Sequence, residues 1–197
     1  LRERGFEFRA ESRWLAAVSL RVNSADLALL ANADFIRRIE ALRPSARVDA
    51  RPGPPGTRTG IARGRDIIDY GASYTELEQV NVPAVHETDN HGEGVVIGMM
   101  DTGFNTGHEA LQAVDVLGAW DFINDDGEVA NEAGDLDGQQ NHGTMTLSTI
   151  GGYMPGSLVG PAFGASFYLA KTEDTSQEEP IEEDWWVEGI EWLEAQG

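Results

Sequence analysis

The chain has 197 residues, enough for one ordinary domain or for a small domain with part of another. It carries 34 Asp and Glu against 14 Lys and Arg, a formal net charge of −20, and it has no Cys. Disulfides, thiolate nucleophiles and Cys-ligated metals are therefore excluded, and the acidity argues against nucleic acid, whose phosphates need cationic partners.

The charge is divided unevenly. Residues 1–69 hold 13 Arg and 9 acids, net +4, whereas residues 70–197 hold one Lys and 25 acids, net −24. Such a break marks a boundary near residue 69. The chain begins at Leu1 without a Met, so the lack of a signal peptide says nothing about export. No apolar run is long enough to span a membrane, and no membrane partner is expected.

In chain order, Trp14, Ala16, Val18, Leu20 and Val22 alternate with other residues and predict a half-buried strand. Asn23 or Ser24 can cap a following helix on which Leu27, Leu30 and Ala31 share a face. Phe35 to Ile39, with Val48 beyond, read as a second strand, although Arg37 and Arg38 could equally continue a helix. Strand, helix and strand make residues 1–48 a small α+β segment. Residues 49–66, within a boundary stretch 49–69, are rich in Pro, Gly and Arg without apolar periodicity, the mark of an exposed linker.

From residue 70 onward strands alternate with helices, which predicts an α/β fold with a mostly parallel sheet. A short helix is expected over Pro83 to His86, strands over Val95–Met100, Val114–Phe122 and Ala165–Ala170, and a long acidic loop over 124–141. A helix follows His142 and ends at Gly151 and Gly152; a loop surrounds Pro155 and Gly156. A second acidic loop, 173–184, precedes a last helix with Trp186, Ile190 and Leu193 on one face.

The stretch Gly94-Val-Val-Ile-Gly-Met-Met-Asp-Thr-Gly103 organises this second part. Its apolar run suits a strand buried on both faces, and Asp101 stands at the carboxyl end, where open α/β sheets place their ligands. Gly103 permits a sharp turn. Forty-one residues later, Asn141-His-Gly-Thr144 sets His142 at a helix start. A carboxylate and an imidazole are the two groups a Ser-His-Asp triad needs besides its nucleophile. Gly143 has two open roles, ordinary loop flexibility or close approach of backbone or substrate to the imidazole.

These two motifs, in this order, resemble the Asp and His motifs of the subtilisin-like serine peptidases (subtilases). Tyr70-Gly71, Val82-Pro-Ala-Val-His86, Gly92-Glu-Gly94 and His108-Glu-Ala-Leu111 look like the surroundings of those motifs in that family. The resemblance implies that residues 70–197 are the N-terminal half of a subtilisin-like catalytic domain, that residues 1–48 are a propeptide-like segment, and that 49–69 link the two. It implies a serine endopeptidase acting on polypeptides, with Asp101 orienting and His142 as base. Its own propeptide would be a partner, its location secreted or in the cell envelope, and its chemistry free of any cofactor. The segment Met145-Thr-Leu-Ser148 departs from the family's usual His-Val-Ala-Gly.

No Ser in the chain stands between a strand and a helix in the setting that presents a nucleophile. Ser148 lies within a helix, Ser157 and Ser176 in loops, and Ser166 in a strand. These 197 residues alone are expected to be inactive. Two other readings remain open: a non-catalytic propeptide-like inhibitor or chaperone joined to a peptidase remnant, and an aspartic protease using Asp101-Thr-Gly, which needs a second such triplet. No residue is assigned as a metal ligand from the sequence. His86, His91 and His108 do not form a zinc motif, and Asp125, Asp126, Asp135 and Asp137 form either a solvated acidic loop or a structural Ca²⁺ site of the kind the resemblance brings with it.

Overall fold

The computed structural model describes residues 1, 5–42, 68–176 and 179–197. The stretch 49–66 read as a linker, and Val48, lie outside the described residues.

The centre of the fold is a three-stranded parallel sheet in the order β3 (Val96–Asp101), β7 (Ser166–Lys171), β4 (Asp115–Asp121). Its flanking helices are α4 (Asn141–Gly151) and α5 (Ile181–Ala195). This is the α/β class that the alternation of elements predicted. β7 lies between the other two strands and has Phe167, Leu169, Ala170 and Lys171 buried. β3 lies at an edge, so Val95 and Val96 are about half exposed instead of buried on both faces. The expectation of a doubly buried strand fits β7 and fails for β3, because a purely apolar run does not say which strand occupies the middle of a sheet.

Phe167 and Leu169 of β7, Met99 of β3, Leu147 of α4, and Phe104, Leu111 and Val129 from the connecting loops form one core. Each fully buried side chain of this size contributes roughly 1.5–3 kcal/mol of transfer free energy. The fit is close enough to dictate glycine. A Cβ on Gly151, in the last turn of α4, would stand 2.5 Å from Phe167 Cζ.

The lead-in to β3 contains α2 (Tyr74–Gln79) and α3 (Val82–His86), the latter as expected. A smaller core of Tyr70, Leu77 and Val159 holds it. Buried His86 ties it down further, meeting the Tyr70 hydroxyl through Nδ1 at 2.8 Å and the Pro161 carbonyl through Nε2 at 3.0 Å. The carbonyl can only accept, so Nε2 carries the proton and neutral Nδ1 accepts from Tyr70. The loop around Pro155 is a tight hairpin of β5 (Tyr153–Met154) and β6 (Leu158–Val159).

The N-terminal part differs from its reading. Instead of strand, helix and strand it forms an antiparallel hairpin, β1 (Glu7–Ser12) with β2 (Ala17–Arg21), followed by α1 (Ser24–Ala31). Trp14 and Ala16 belong to the turn, where Ala16 adopts φ 47°. β1 was not read as a strand because Phe8 is the only bulky apolar residue in Glu-Phe-Arg-Ala-Glu-Ser, too few for an apolar alternation. Asn23 caps α1, accepting from the Ala25 and Asp26 amides. Phe35 to Ile39 form no strand, and the described residues offer them no strand to pair with; both end residues are exposed.

The hairpin sits on α5. The α5 face turned toward it is acidic, with Asp184 and Glu191 buried. Glu191 accepts from the Ser12 hydroxyl at 2.5 Å and from the Arg13 and Trp14 amides at 3.0 and 3.2 Å. Asp184 accepts from the Ser19 hydroxyl at 2.7 Å, and Glu188 from the Glu11 amide at 3.3 Å. On the opposite side α5 meets the sheet through Leu193 against Gly98 and through Gly189 against Met100 and Thr172. Trp186, expected to share a face with Ile190 and Leu193, is half exposed. With carboxylates buried on one side, apolar periodicity alone could not orient this helix.

Candidate active site

Parallel register puts three charged residues in one row at the carboxyl ends of the strands. Asp101 of β3 pairs with Lys171 of β7, which pairs with Asp121 of β4. Past this row the chain leaves β3 through Thr102 and Gly103. Gly103 has φ +121°, and a Cβ there would stand 2.7 Å from the Val129 carbonyl oxygen, so the turn requires glycine.

His142, in the first turn of α4, turns back toward this row. Its Nδ1 lies 2.8 Å from Asp101 Oδ1. The two residues named from sequence are thus brought into direct contact across forty-one positions. Their approach depends on Gly143. A Cβ there would fall 2.1 Å from the Gly103 carbonyl oxygen and 3.1 Å from Asp101 Cβ. The close approach observed is that of Gly143 itself to the β3 turn, a role that neither reading from sequence had named.

Asp101 is buried, and its carboxylate accepts two further hydrogen bonds, from the Thr102 amide to Oδ1 at 2.7 Å and from the Thr146 hydroxyl to Oδ2 at 3.0 Å. A carboxylate only accepts, so the Asp101 contact places the imidazole proton on Nδ1 and leaves the Nε2 lone pair available. The His142 side chain is 59% exposed, which opens it to a reactant. A fixed imidazole with a free basic nitrogen, backed by a buried carboxylate, can take a proton from a hydroxyl and hold the resulting positive charge.

Supports that the sequence did not announce surround this pair. Buried Gln139 donates to the carbonyls of Thr102 and Glu173, and its oxygen accepts from the amide and hydroxyl of Thr175, binding the loops after β3 and β7 together. Asn131 and Gln140 exchange hydrogen bonds across the acidic loop that leads into α4. Lys171 is wholly buried and reaches Asp121 at 2.7 Å and Asp135 at 2.9 Å. Burial by itself would push its ammonium down; the hydrogen bonds and charges of Asp121 and Asp135 outweigh that and hold it above its ordinary value. It was the only Lys in the sequence, a signal that could have marked it.

The four acidic-loop Asp residues named from sequence do not come together as one group. Asp121, Asp126 and Glu132 converge, with ligand atoms within 4.8 Å of one another, while Asp135 is engaged by Lys171. Ca²⁺ takes about 6–8 oxygens. Asp121 already accepts from Lys171 and from the Ile123 and Asn124 amides. His108 caps the 3₁₀ turn Glu109–Leu111, its Nδ1 accepting from the Ala110 amide. Among the described residues no helix is long and apolar enough to cross a membrane.

No curated protein matches the chain. Residues 92–197, more than half of it, match the family model of the subtilases, Peptidase S8, over a span that contains the parallel sheet, Asp101 and His142. The chain belongs to the subtilase family of serine peptidases.

Proposed function

We propose that the protein is a serine endopeptidase in which Asp101 orients His142 and His142 is the general base. The observation that carries this reading is the 2.8 Å contact between Asp101 Oδ1 and His142 Nδ1 at the carboxyl end of the parallel sheet. In the proposed cycle His142 Nε2 removes the proton of a serine hydroxyl as it attacks the peptide carbonyl, then returns it to the departing amine. Asp101 stays ionised throughout and stabilises the imidazolium. No cofactor enters these steps.

The nucleophile and the oxyanion donors are assigned to residues outside these 197. Ser148 supports that assignment, since its hydroxyl donates to the Thr144 and Met145 carbonyls inside α4. The hairpin β1–β2 belongs to the propeptide-like segment 1–48 in this proposal, a reading supported by its polar seating on α5. Secretion or a cell-envelope location is part of the proposal and rests on family membership alone.

The test uses the complete protein with a peptide substrate. Asp101→Asn should lower kcat by roughly 10⁴, the loss known for the same exchange in a Ser-His-Asp triad, and His142→Ala at least as much. Near-normal hydrolysis by either variant refutes the assignment. Residues 1–197 alone should neither hydrolyse casein nor be labelled by a serine-directed phosphonate; covalent labelling of one of their Ser residues would place the nucleophile inside the chain.

A further inference from the structure

Thr146 lies one helical turn after His142 on α4, at the i+4 position that shares its face. Its hydroxyl is 3.0 Å from Asp101 Oδ2 and also 3.0 Å from the Gly143 carbonyl oxygen. A hydroxyl has one proton, so these two acceptors compete. A Thr inside a helix commonly bonds back to the carbonyl three or four residues earlier, and Gly143 is such a partner. Two facts decide for Asp101. A carboxylate is roughly twice as strong an acceptor as a neutral carbonyl. The Gly143 carbonyl also faces the Leu147 amide in regular α4 geometry, whereas Thr146 is the only group hydrogen-bonded to Oδ2 among the described residues.

We propose that Thr146 is a positioning residue of the proteolytic site, holding and partly neutralising Asp101; this rests on the Asp101–His142 reading given above. One helix then touches the carboxylate twice, through the imidazole on Oδ1 and the hydroxyl on Oδ2. A rotation of the carboxylate about its Cβ–Cγ bond breaks both contacts, so its plane is fixed relative to the imidazole. The hydroxyl also has an electrostatic effect. A hydrogen bond to Oδ2 draws charge from the oxygens, weakening the hold of Asp101 on the imidazolium and favouring the neutral base.

Two consequences follow for Thr146→Val, which keeps the shape and removes the donor. Looser orientation lowers kcat by roughly three- to tenfold, the range commanded by one hydrogen bond, with KM nearly unchanged. The carboxylate left with more charge stabilises the imidazolium more, so the acid limb of the pH–kcat/KM profile moves to higher pH. Thr146→Ser, which restores the hydroxyl, restores both. A role in packing alone predicts loss of activity with the acid limb in place.

The experiment measures these profiles in the complete protein for Thr146→Val, Thr146→Ser and Thr149→Val. Thr149 is the control, an exposed residue of the same helix whose hydroxyl donates to the Met145 carbonyl. In parallel, the proton on His142 Nδ1 is followed by NMR in residues 1–197, a reading that needs no nucleophile. It should shift in Thr146→Val and hold still in Thr149→Val. An unchanged kcat and acid limb in Thr146→Val, or a Ser variant that behaves like Val, overturns the proposal. Should Thr146→Val not fold, Thr146→Ala repeats the measurement without the added methyl. His142→Ala in the same assay separates the two claims: if it stays active the Asp–His reading fails, and if it is inactive while Thr146→Val is unaltered only the Thr146 inference fails.

Discussion

Two groups of buried carboxylates are treated differently in this molecule. At the carboxyl end of the sheet, Asp101 and Asp121 are matched by partners inside the span common to subtilases: His142, Thr146 and Lys171. On α5, Asp184 and Glu191 are matched by Arg9, Ser12, Ser19 and the amides of the β1–β2 turn, all outside that span. A buried carboxylate is costly unless its lone pairs are satisfied. The first group is therefore satisfied whenever the sheet is folded, whereas the second is satisfied only while the hairpin is seated. That makes the sheet end a permanent site and the α5 face a separable one.

The strongest way to break the permanent group is through Lys171. Lys171→Met leaves Asp121 fully buried without its cation, and removing one partner of such a pair costs about 3–5 kcal/mol. Urea unfolding of the variant should show that loss. The double variant Asp121→Asn with Lys171→Met should recover part of it, because no lone buried charge remains. Lys171 is held above its ordinary value of 10.5, so its contribution is complete below that pH and fades only as pH rises through the higher folded value. A Lys171→Met protein as stable as wild type at pH 7 would show that the buried triad does not secure the sheet end.

A smaller effect is expected where the sheet end meets α4. Gly143→Ala places a methyl 2.1 Å from the Gly103 carbonyl oxygen, and this atom is backbone that cannot rotate away. Overpacking of this kind costs about 1–3 kcal/mol, and relief comes by sliding α4 outward, which separates His142 from Asp101. Activity should then fall further than stability. Wild-type kcat in Gly143→Ala would mean that the close approach is incidental.

The contrast between the two groups also explains what the sequence made legible. Asp101, His142 and Gly103 could be read because each needs a particular residue type at a particular place: an acceptor at a strand end, an imidazole at a helix start, a positive φ in a turn. The α/β class was legible for the same local reason, from apolar runs bounded by turns. What escaped depends on the third dimension. The middle position of β7, the pairing of Lys171 with Asp121 and Asp135, and the Thr146 hydroxyl on Asp101 all join residues far apart or hidden in a helical pattern. The N-terminal hairpin was misread because its stability comes from carboxylates on α5, and no periodicity in residues 7–21 announces them.

The most delicate test lies within the separable group, where two neighbouring acids should act in opposite directions. Glu191 is held below its ordinary value of 4.5, first by the Ser12 hydroxyl and then by the Trp14 and Arg13 amides, against the opposing effect of burial. A lowered value means that its contribution to seating the hairpin is present above pH 4.5 and is lost as pH falls through the seated value. Glu188 is raised, first by burial and then, against the Glu11 amide, by the charges of Asp184, Asp125 and Glu191. A raised carboxyl does the reverse: its ionised form opposes seating at neutral pH, and that opposition disappears as pH falls through the raised value toward 4.5. Glu191→Gln should loosen the hairpin at pH 7, since an amide turned toward Ser12 and the two N–H groups presents a donor where only acceptors serve. Glu188→Gln should tighten it, since the amide oxygen still accepts from Glu11 while the repelling charge is gone. Amide hydrogen exchange at Arg13 and Trp14 reads both, expected several-fold faster in the first variant and slower in the second. If the two variants shift exchange in the same direction, the α5 face acts as undifferentiated negative charge, and the residue-by-residue match with the hairpin is not what seats it.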